Sequence, residues 1–285
     1  MAVNGSEPVR AETLDRFAEA FSRYGFRAEA LRPCYGLAEC TLTVTMGGPL
    51  TPFVARDYDR VSLAEGFARR SASGPAAVQL VGCGAATRRT TLLVVDPESA
   101  TPLPAGAVGE IWVQSLSNGL GYWGRGPESQ ETFQAIPDGW IGGGTFVRTG
   151  DLGFLDEEEL FVTGRRKDVL IIAGENYYPQ DAEALAKSSH RAFATQVCAA
   201  WSLDDGPDAQ IAVVMETDER AETVLAEATR AAGVAVGSVL PARVTAIAVA
   251  RNQIPRTTSG KIRRRECAEQ AANSELDVLF RWPIR

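Results

Sequence analysis

The sequence predicts an α/β protein built from two domains. Its 285 residues suit one large domain or two domains of ordinary size. Strand-like apolar runs separated by turn residues dominate the middle of the chain, whereas strands and helices alternate beyond Arg165. Such alternation is typical of a compact α/β or α+β domain of about 120 residues. We therefore place the boundary within residues 164–168, which gives domains of residues 1–164 and 165–285.

The first domain is predicted to open with a helix. Residues 10–24 place Leu14, Phe17 and Phe21 on one helix face, and Gly25 follows as a stop signal. The next segment, LRPCYGLAECTLTV, is predicted to be a loop that enters an apolar segment, and residues 48–76 to be irregular. Further along, we predict strands at residues 78–81, 91–96 and 109–113 and a strand–acidic hairpin–strand unit at residues 149–165.

The second domain is predicted from periodic segments that follow one another closely. The segment DVLIIAG (168–174) comes first, and the predicted strands are TQVCAAW (195–201), QIAVVM (210–215) and VTAIAVA (244–250). The predicted helices are PQDAEALAKSS (179–189) and DERAETVLAEATRAAG (218–233).

The composition narrows the possible classes of protein. The net charge of −7 argues against nucleic acid as the main partner, because such proteins usually carry a basic surface. Five cysteines without a CxxC pair indicate free, mostly buried thiols in a reducing cytoplasm. We find no secretory signal and no apolar run long enough to cross a bilayer. His190 is the only histidine, which excludes a His-rich metal site.

Two phosphate-loop templates fail on this sequence. The GxxxxGK[ST] template does not fit at Lys261, because Pro255 stands where the first glycine belongs and Ile262 follows the lysine. The glycines of GCGAAT at residues 82–87 precede a strand rather than a helix, so the dinucleotide-binding context is missing.

Two short motifs each allow a structural and a functional interpretation. In TGD, Asp151 is either a turn residue or a carboxylate that accepts from the vicinal hydroxyls of a sugar, with Arg165 within reach of the same sugar. In CYGLAE, Tyr35 is either a core residue or a ring stacked on a base. Glu39 is either solvated or a ligand for Mg²⁺ near phosphates.

The segment IPRTTSGKIRRRE at residues 254–266 delivers Lys261 from a polar stretch that the sequence predicts to be flexible. The lysine is a phosphate clamp, part of a nucleic-acid patch, or a residue of a solvated loop. The acidic balance and the lack of interleaved aromatic residues make the nucleic-acid patch the weakest of the three. A compact charge on a flexible stem suits a transferring phosphoryl group.

The order of these motifs carries more information than any one of them. Four motifs in this order resemble those of the adenylate-forming ligase superfamily: YGLAE, TGDLG, GRRKDVLIIAGENYYPQDAE and IPRTTSGKIRR. Their amino-acid sequences are most similar to those of fatty acyl-AMP ligases. Residues 48–76 stand where those ligases carry an insertion. The resemblance implies that residues 1–164 form part of a large adenylate-forming domain, a sheet plus a β-barrel-like part. Residues 165–285 would form a small, mobile α+β domain.

The resemblance also implies an activity. A fatty or other carboxylic acid would react with ATP to give acyl-AMP, and the acyl group would pass to the phosphopantetheine of an acyl carrier protein. Such a cytoplasmic ligase, with Mg²⁺ as cofactor, serves lipid, polyketide or nonribosomal peptide biosynthesis. The implied site consists of Tyr35 and Gly36 on the nucleotide (Tyr35 stacked on adenine), Glu39 on Mg²⁺, Asp151 and Arg165 on the ribose, Lys167 as hinge, and Lys261 between carboxylate and α-phosphate.

The sequence lacks one motif of the family, its phosphate loop. The family's Ser/Thr/Gly-rich phosphate loop, with its own lysine, lies upstream of the adenine region, and this sequence does not contain it. We expect the chain to be the C-terminal part of a ligase that works with an N-terminal half. Two alternatives remain: a nucleotide- or carrier-binding module without adenylation, and a structural partner of a synthase. Arg263, Arg264 and Arg265 are the predicted basic patch for an acidic carrier.

Overall fold

The computed structural model describes residues 1–49, 51–74, 76–204, 209–258 and 260–283. The chain divides into two compact units, Met1–Lys167 and Asp168–Arg285.

The first unit contains short strands with helices between some of them. Its strands are β1 (Ala2–Asn4), β2 (Leu31–Leu37), β3 (Leu42–Met46), β4 (Ala55–Asp59), β5 (Ala77–Val81), β6 (Ala85–Ala86), β7 (Thr90–Val95), β8 (Gly109–Ser115), β9 (Val147–Asp156) and β10 (Glu159–Arg165). Its α-helices are α1 (Ala11–Ser22), α2 (Arg60–Ala64) and α3 (Gly126–Phe133).

These strands form two four-stranded sheets and a two-stranded one. The orders are β1-β2-β3-β6, β10-β9-β8-β7 and β4-β5. No sheet in the described part of the chain closes on itself, so the part expected to be barrel-like is a set of open sheets. The core cluster that joins the two larger sheets includes Val44 from β3, Ile111 and Val113 from β8, and Leu160 from β10. Full burial of such a side chain stabilises the fold by about 1.5–3 kcal/mol.

The second unit alternates strands and helices around one sheet. Its elements are β11 (Leu170–Ile172), β12 (Glu175–Tyr177), α4 (Pro179–Ser189), β13 (Cys198–Asp204), β14 (Gln210–Thr217), α5 (Glu222–Gly237), β15 (Arg243–Ala250), α6 (Arg264–Ala272) and β16 (Val278–Trp282). The sheet order is β13-β14-β15-β16. Only β14 and β15 run parallel in this sheet, and α5 supplies the crossover that a parallel pair requires. The predicted α/β fold class is confirmed.

Several predicted elements differ from the observed ones. LRPCYGLAECTLTV is not a loop. It forms β2 and β3, because β2 pairs with β1 on one side and with β3 on the other. The helix predicted at residues 218–233 begins four residues later, since the Glu219 carboxylate accepts the Ala221 amide and holds a turn there. It runs on past residue 233 because Val236 is fully buried.

Residues 48–76 are more ordered than their composition predicts. They contain β4 and α2, and β4 pairs with β5. Three side chains from this stretch meet the Asp156 carboxylate at the end of β9: Tyr58 Oη at 2.7 Å, Arg70 Nε at 2.8 Å and Arg56 at 3.0 Å. Burial works to raise the pKa of Asp156, but the hydrogen bonds from Arg70 and Tyr58 outweigh it and hold that pKa below its usual value. The Tyr58 ring is fully buried and packs edge-on against Phe154 and Phe161.

None of the helices among the described residues is both long enough and apolar enough to cross a membrane.

The five cysteines are free, and all but the half-buried Cys34 are buried, as predicted. Burial raises the pKa of Cys40, Cys83 and Cys267 to about 12. Because the thiolate is the reactive form, we expect these three thiols to resist iodoacetamide at pH 8. The native chain is treated with iodoacetamide for the time in which the chain unfolded in guanidinium chloride is alkylated at all five cysteines. Peptide mass spectrometry then locates the labelled cysteines. Rapid native labelling of Cys40 or Cys83 would contradict the packing described.

Candidate active site

Three predicted site residues come together in the first unit, although they lie far apart in the sequence. Asp151 on β9 stands directly opposite Arg165 on β10 in the antiparallel register, and Tyr35 comes from β2. Tyr35 Oη donates to Asp151 Oδ2 at 2.8 Å, and Arg165 Nε donates to Asp151 Oδ1 at 2.9 Å. The Asp151 side chain is only 11% exposed, whereas that of Arg165 is 63% exposed. The constellation is therefore anchored inside the fold and open on its arginine side.

The TGD segment lies inside strand β9, not at a turn. Gly150 has φ +69°, a left-handed conformation that a residue with a Cβ rarely adopts. Its amide donates to Glu110 Oε1 at 3.1 Å, and Glu110 is itself paired with Arg148 at 2.7 Å. Glu110 is 2% exposed. This buried ion pair fixes the peptide just before Asp151, which orients the carboxylate.

Sequence reasoning missed Glu110 and Arg148. The available signal was a glutamate inside the apolar strand segment GEIWV, where a charged residue must find a partner once buried.

Tyr35 packs in the core cluster that includes Val113 and Leu160, and it is 8% exposed. Burial, and then the charge of Asp151, raise the pKa of Tyr35 well above its usual value, so its hydroxyl is a donor at neutral pH. The structure thus agrees with the interpretation of Tyr35 as a core residue, and its hydroxyl also orients Asp151. Stacking on adenine stays a prediction.

Gly36 lies where β2 and β3 come closest. A Cβ at this position would stand 1.6 Å from the Leu42 carbonyl oxygen, so only glycine fits. This close approach explains the residue type without a ligand, and its expected contact with the nucleotide stays a prediction.

Glu39 follows β2 in a short 3₁₀ turn, Ala38–Cys40. Its Oε1 accepts a hydrogen bond from Tyr122 Oη at 2.7 Å, and its carbonyl oxygen accepts from the Gly119 amide at 2.7 Å. Tyr122 also packs edge-on against Phe133, with ring centroids 5.1 Å apart. Burial, followed by the hydrogen bond to Glu39, raises the pKa of Tyr122 to about 12. Tyr122 was not predicted from the sequence.

A metal ion at Glu39 would depend on the substrate for further ligands. The described residues contain no group of three or more His, Cys, Asp or Glu side chains that could hold an ion. Mg²⁺ is commonly bound through one or two carboxylates together with substrate phosphates. A single partly exposed carboxylate such as Glu39 fits that mode.

The two predicted lysines, Lys167 and Lys261, belong to other segments of the chain. Lys167 is in the 3₁₀ turn Arg166–Asp168, at the end of the first unit. Lys261 belongs to the second unit, where it is exposed in the segment between β15 and α6. The structure therefore brings together Tyr35, Asp151 and Arg165. Glu39 pairs with Tyr122.

Comparisons with known proteins agree with these motifs. The profile of the AMP-binding enzyme family matches residues 1–123. The long-chain-fatty-acid–AMP ligase FadD32 of Mycolicibacterium smegmatis is 38% identical over 93% of this chain and 47% of its own length. A solved structure from a study of fatty acyl-adenylate ligases of E. coli and L. pneumophila superposes with a TM-score of 0.82 at 30% identity, covering 96% of this chain and 48% of that one.

Over nearly all of its length the chain is similar to fatty acyl-AMP ligases, and its residues 1–123 match the AMP-binding enzyme family. The resemblance inferred from the four ordered motifs is thereby confirmed. Another relative of this chain is the medium-chain-fatty-acid–[acyl-carrier-protein] ligase JamA of Moorena producens. It is 35% identical over all of this chain and 48% of its own length. The chain thus spans about half the length of the curated relatives it matches.

The Tyr122–Glu39 hydrogen bond gives a pH-dependent contribution to stability. A tyrosine whose pKa rises from about 10 in the unfolded chain to about 12 in the folded one stabilises the fold fully below pH 10 and loses that effect as the pH rises to 12. We expect Tyr122→Phe to lower the free energy of unfolding by about 1 kcal/mol at pH 8, with the difference from wild type shrinking above pH 10.

Urea unfolding at pH 8 to 11 measures this difference. Tyr24→Phe, at a ring that is 70% exposed, is the matched control and should change the free energy of unfolding little at any of these pH values. A Tyr122→Phe deficit that stays constant through pH 11 would show that the hydrogen bond is not the cause.

Proposed function

We propose that this chain forms the ribose-holding and lysine-bearing part of an ATP-dependent ligase that activates a fatty or other carboxylic acid as acyl-AMP. The acyl group would then pass to the phosphopantetheine thiol of an acyl carrier protein. The observation that carries the proposal is the Tyr35–Asp151–Arg165 constellation, in a chain that matches fatty acyl-AMP ligases over nearly all its length.

The constellation suits a ribose because of its hydrogen-bonding capacity. The Asp151 carboxylate accepts hydrogen bonds through both of its oxygens, and an ionised carboxylate is the acceptor that the vicinal hydroxyls of a sugar require. The neighbouring Arg165 is mostly exposed, and its guanidinium is a donor group of the kind that sugar oxygens accept from. Tyr35 and Arg165 hold the carboxylate in place beforehand, which lowers the entropy cost of binding.

The proposed reaction has two steps. An oxygen of the substrate carboxylate attacks the α-phosphorus of ATP, the bond from that phosphorus to the bridging oxygen breaks, and pyrophosphate leaves with the bonding electrons. The carrier thiol, after loss of its proton, then attacks the acyl carbon, and AMP leaves. Lys261 would neutralise charge between the carboxylate and the α-phosphate in the first step, and positioning and charge neutralisation are most of what phosphoryl transfer requires.

Glu39 would hold Mg²⁺ together with the phosphates of ATP, and the ion would neutralise part of their charge. Tyr122 keeps one oxygen of Glu39 occupied through its 2.7 Å hydrogen bond. Glu39 Oε2 would therefore be the oxygen that binds the ion.

The carrier partner and the complementary half are the finer parts of the proposal. The name of the relative JamA supports a carrier protein as acyl acceptor. Because the chain spans about half of its relatives, we propose that activity requires a polypeptide corresponding to their other half, in which the expected phosphate loop would lie. A cytoplasmic location, and the boundary at residues 164–168 with Lys167 as hinge, belong to the same proposal.

ATP–pyrophosphate exchange with a panel of fatty acids tests the proposed function. We expect exchange when the chain is combined with the remaining half of a fatty acyl-AMP ligase. Lys261→Ala should lower exchange about 100-fold or more, as removal of one preorganised charge from such a reaction does. Lys187→Ala, which removes the lysine of α4, is the matched control and should leave exchange unchanged.

The outcomes separate the candidate functions. Exchange that survives Lys261→Ala would overturn the catalytic role of that lysine. AMP binding that is weakened about tenfold or more by Asp151→Asn, without exchange under any condition, would favour the nucleotide-binding module instead. If neither pyrophosphate exchange nor nucleotide binding is detected, the structural partner of a synthase is the remaining candidate function.

A further inference from the structure

The segment that carries Lys261 is held at both ends by buried carboxylates. We define the lysine loop as the described residues 251–258 and 260–263, between β15 and α6. We propose that Glu216 and Glu183 are positioning residues that clamp the entry and the exit of the lysine loop, so that Lys261 is presented as a fixed part of the second unit. The proposal rests on the proposed role of Lys261 and adds how its charge is delivered.

The entry clamp is Glu216 on β14, which is 1% exposed. Its Oε1 accepts the Ile254 amide at 2.9 Å, and its Oε2 lies 3.8 Å from the guanidinium of Arg256. A carboxylate this deeply buried must keep its partners, because an unpaired buried charge costs several kcal/mol. The first half of the lysine loop is therefore tied to the central sheet. Ile254 adds a hydrophobic anchor, since it is 2% exposed in the core cluster with Cys267.

The exit clamp is Glu183 on α4, which is 6% exposed. Arg264, the first residue of α6, donates to both of its carboxylate oxygens, at 2.7 Å and 2.9 Å. Glu183 also accepts the Ala200 amide at 3.1 Å, which ties β13 into the same contact. A bidentate arginine–carboxylate pair fixes orientation as well as distance. Arg264 further approaches Asp168 at 3.4 Å, the residue directly after the proposed hinge Lys167.

Between the clamps, the lysine loop closes on itself. The Arg263 amide donates to the Pro255 carbonyl at 2.9 Å, and Arg256 and Ile262 form an antiparallel bridge. Around Lys261, the Thr257 amide donates to the Lys261 carbonyl at 2.9 Å, and the Lys261 amide donates to Thr257 Oγ1 at 3.0 Å. Both backbone groups of Lys261 are thus engaged while its side chain is exposed.

This geometry differs from the flexible stretch that the sequence predicts. The backbone that bears Lys261 is a small closed hairpin with two buried anchors, and the four-carbon stem of the lysine supplies the local freedom. The position of the lysine charge within the second unit is then set by the backbone of the lysine loop. Arg264 also links the lysine loop to the side-chain carboxylate of Asp168, at 3.4 Å.

Hydrogen exchange in the chain by itself tests the clamps without any enzymatic activity. In the wild type we expect the amides of Ile254, Lys261 and Arg263 to exchange about 100-fold more slowly than in an unstructured peptide. Arg264→Gln should accelerate exchange at Lys261 and Arg263 about tenfold or more, and Glu216→Gln at Ile254, while the amides of β14 keep their protection.

Arg251→Gln is the matched control. Arg251 lies in the same loop and pairs with Asp218, but both side chains are about 60% exposed, so its removal should leave the three amides unchanged. Arg264→Lys, which keeps the charge and loses the bidentate contact, should give an intermediate exchange rate. It also serves as the test if Arg264→Gln does not fold.

A second readout separates positioning from general stability. In ATP–pyrophosphate exchange with the complementary half, Arg264→Gln should lower kcat about tenfold at unchanged KM for ATP, and Arg264→Lys should restore part of it. Unprotected loop amides in the wild type, or equal exchange in all variants, overturn the clamps even if Lys261 proves essential. Protected amides that respond as expected support the clamps even if no pyrophosphate exchange occurs, which would then count against the proposed function.

Discussion

The first unit depends on hydrogen bonds that the Asp151 carboxylate accepts from two different sheets. Tyr35 donates from the sheet that begins with β1, and Arg165 donates from the β9–β10 hairpin. A mostly buried carboxylate cannot be left without donors, so these contacts constrain the two sheets to meet at this point. Behind it, Glu110 and Arg148 hold the peptide of Gly150 and fix the direction from which Asp151 leaves its strand. The proposed ribose site is thus the junction of two sheets.

Buried carboxylates organise the second unit in the same physical way, with a different result. Glu183 and Glu216 each join a helix or strand of the body to the lysine loop. In the first unit the buried carboxylate itself is the proposed binding group. In the second unit the buried carboxylates stay inside, and the group they position is a lysine on the surface. Both arrangements convert the cost of burying charge into a defined geometry.

The sequence was sufficient for the parts of the fold that periodicity encodes. The alternation beyond Arg165 predicted β14, α4 and β15, and the four ordered motifs predicted the family. It failed at β2, because CYGLAE contains a glycine and a polar end that are typical of a loop, whereas pairing with β1 and β3 makes residues 34–37 part of a strand.

The supporting residues of the site were also beyond local reasoning. Tyr122 meets Glu39 across 83 residues of sequence, and Arg264 meets Glu183 across 81. Nothing in a short window indicates such a partner. Only the presence of charged residues in apolar strands, such as Glu110 and Glu216, signals that partners must exist.

The Asp156 contacts have a consequence for how the family can exchange parts. Residues 48–76 resemble a self-contained cassette, yet Tyr58, Arg56 and Arg70 from this stretch all converge on one carboxylate that follows Tyr58 by 98 residues. A chimera that imports the stretch alone would carry three donors whose acceptor stays behind in the parent sequence. Residues 48–76 and the β9–β10 hairpin should therefore be exchanged between relatives together.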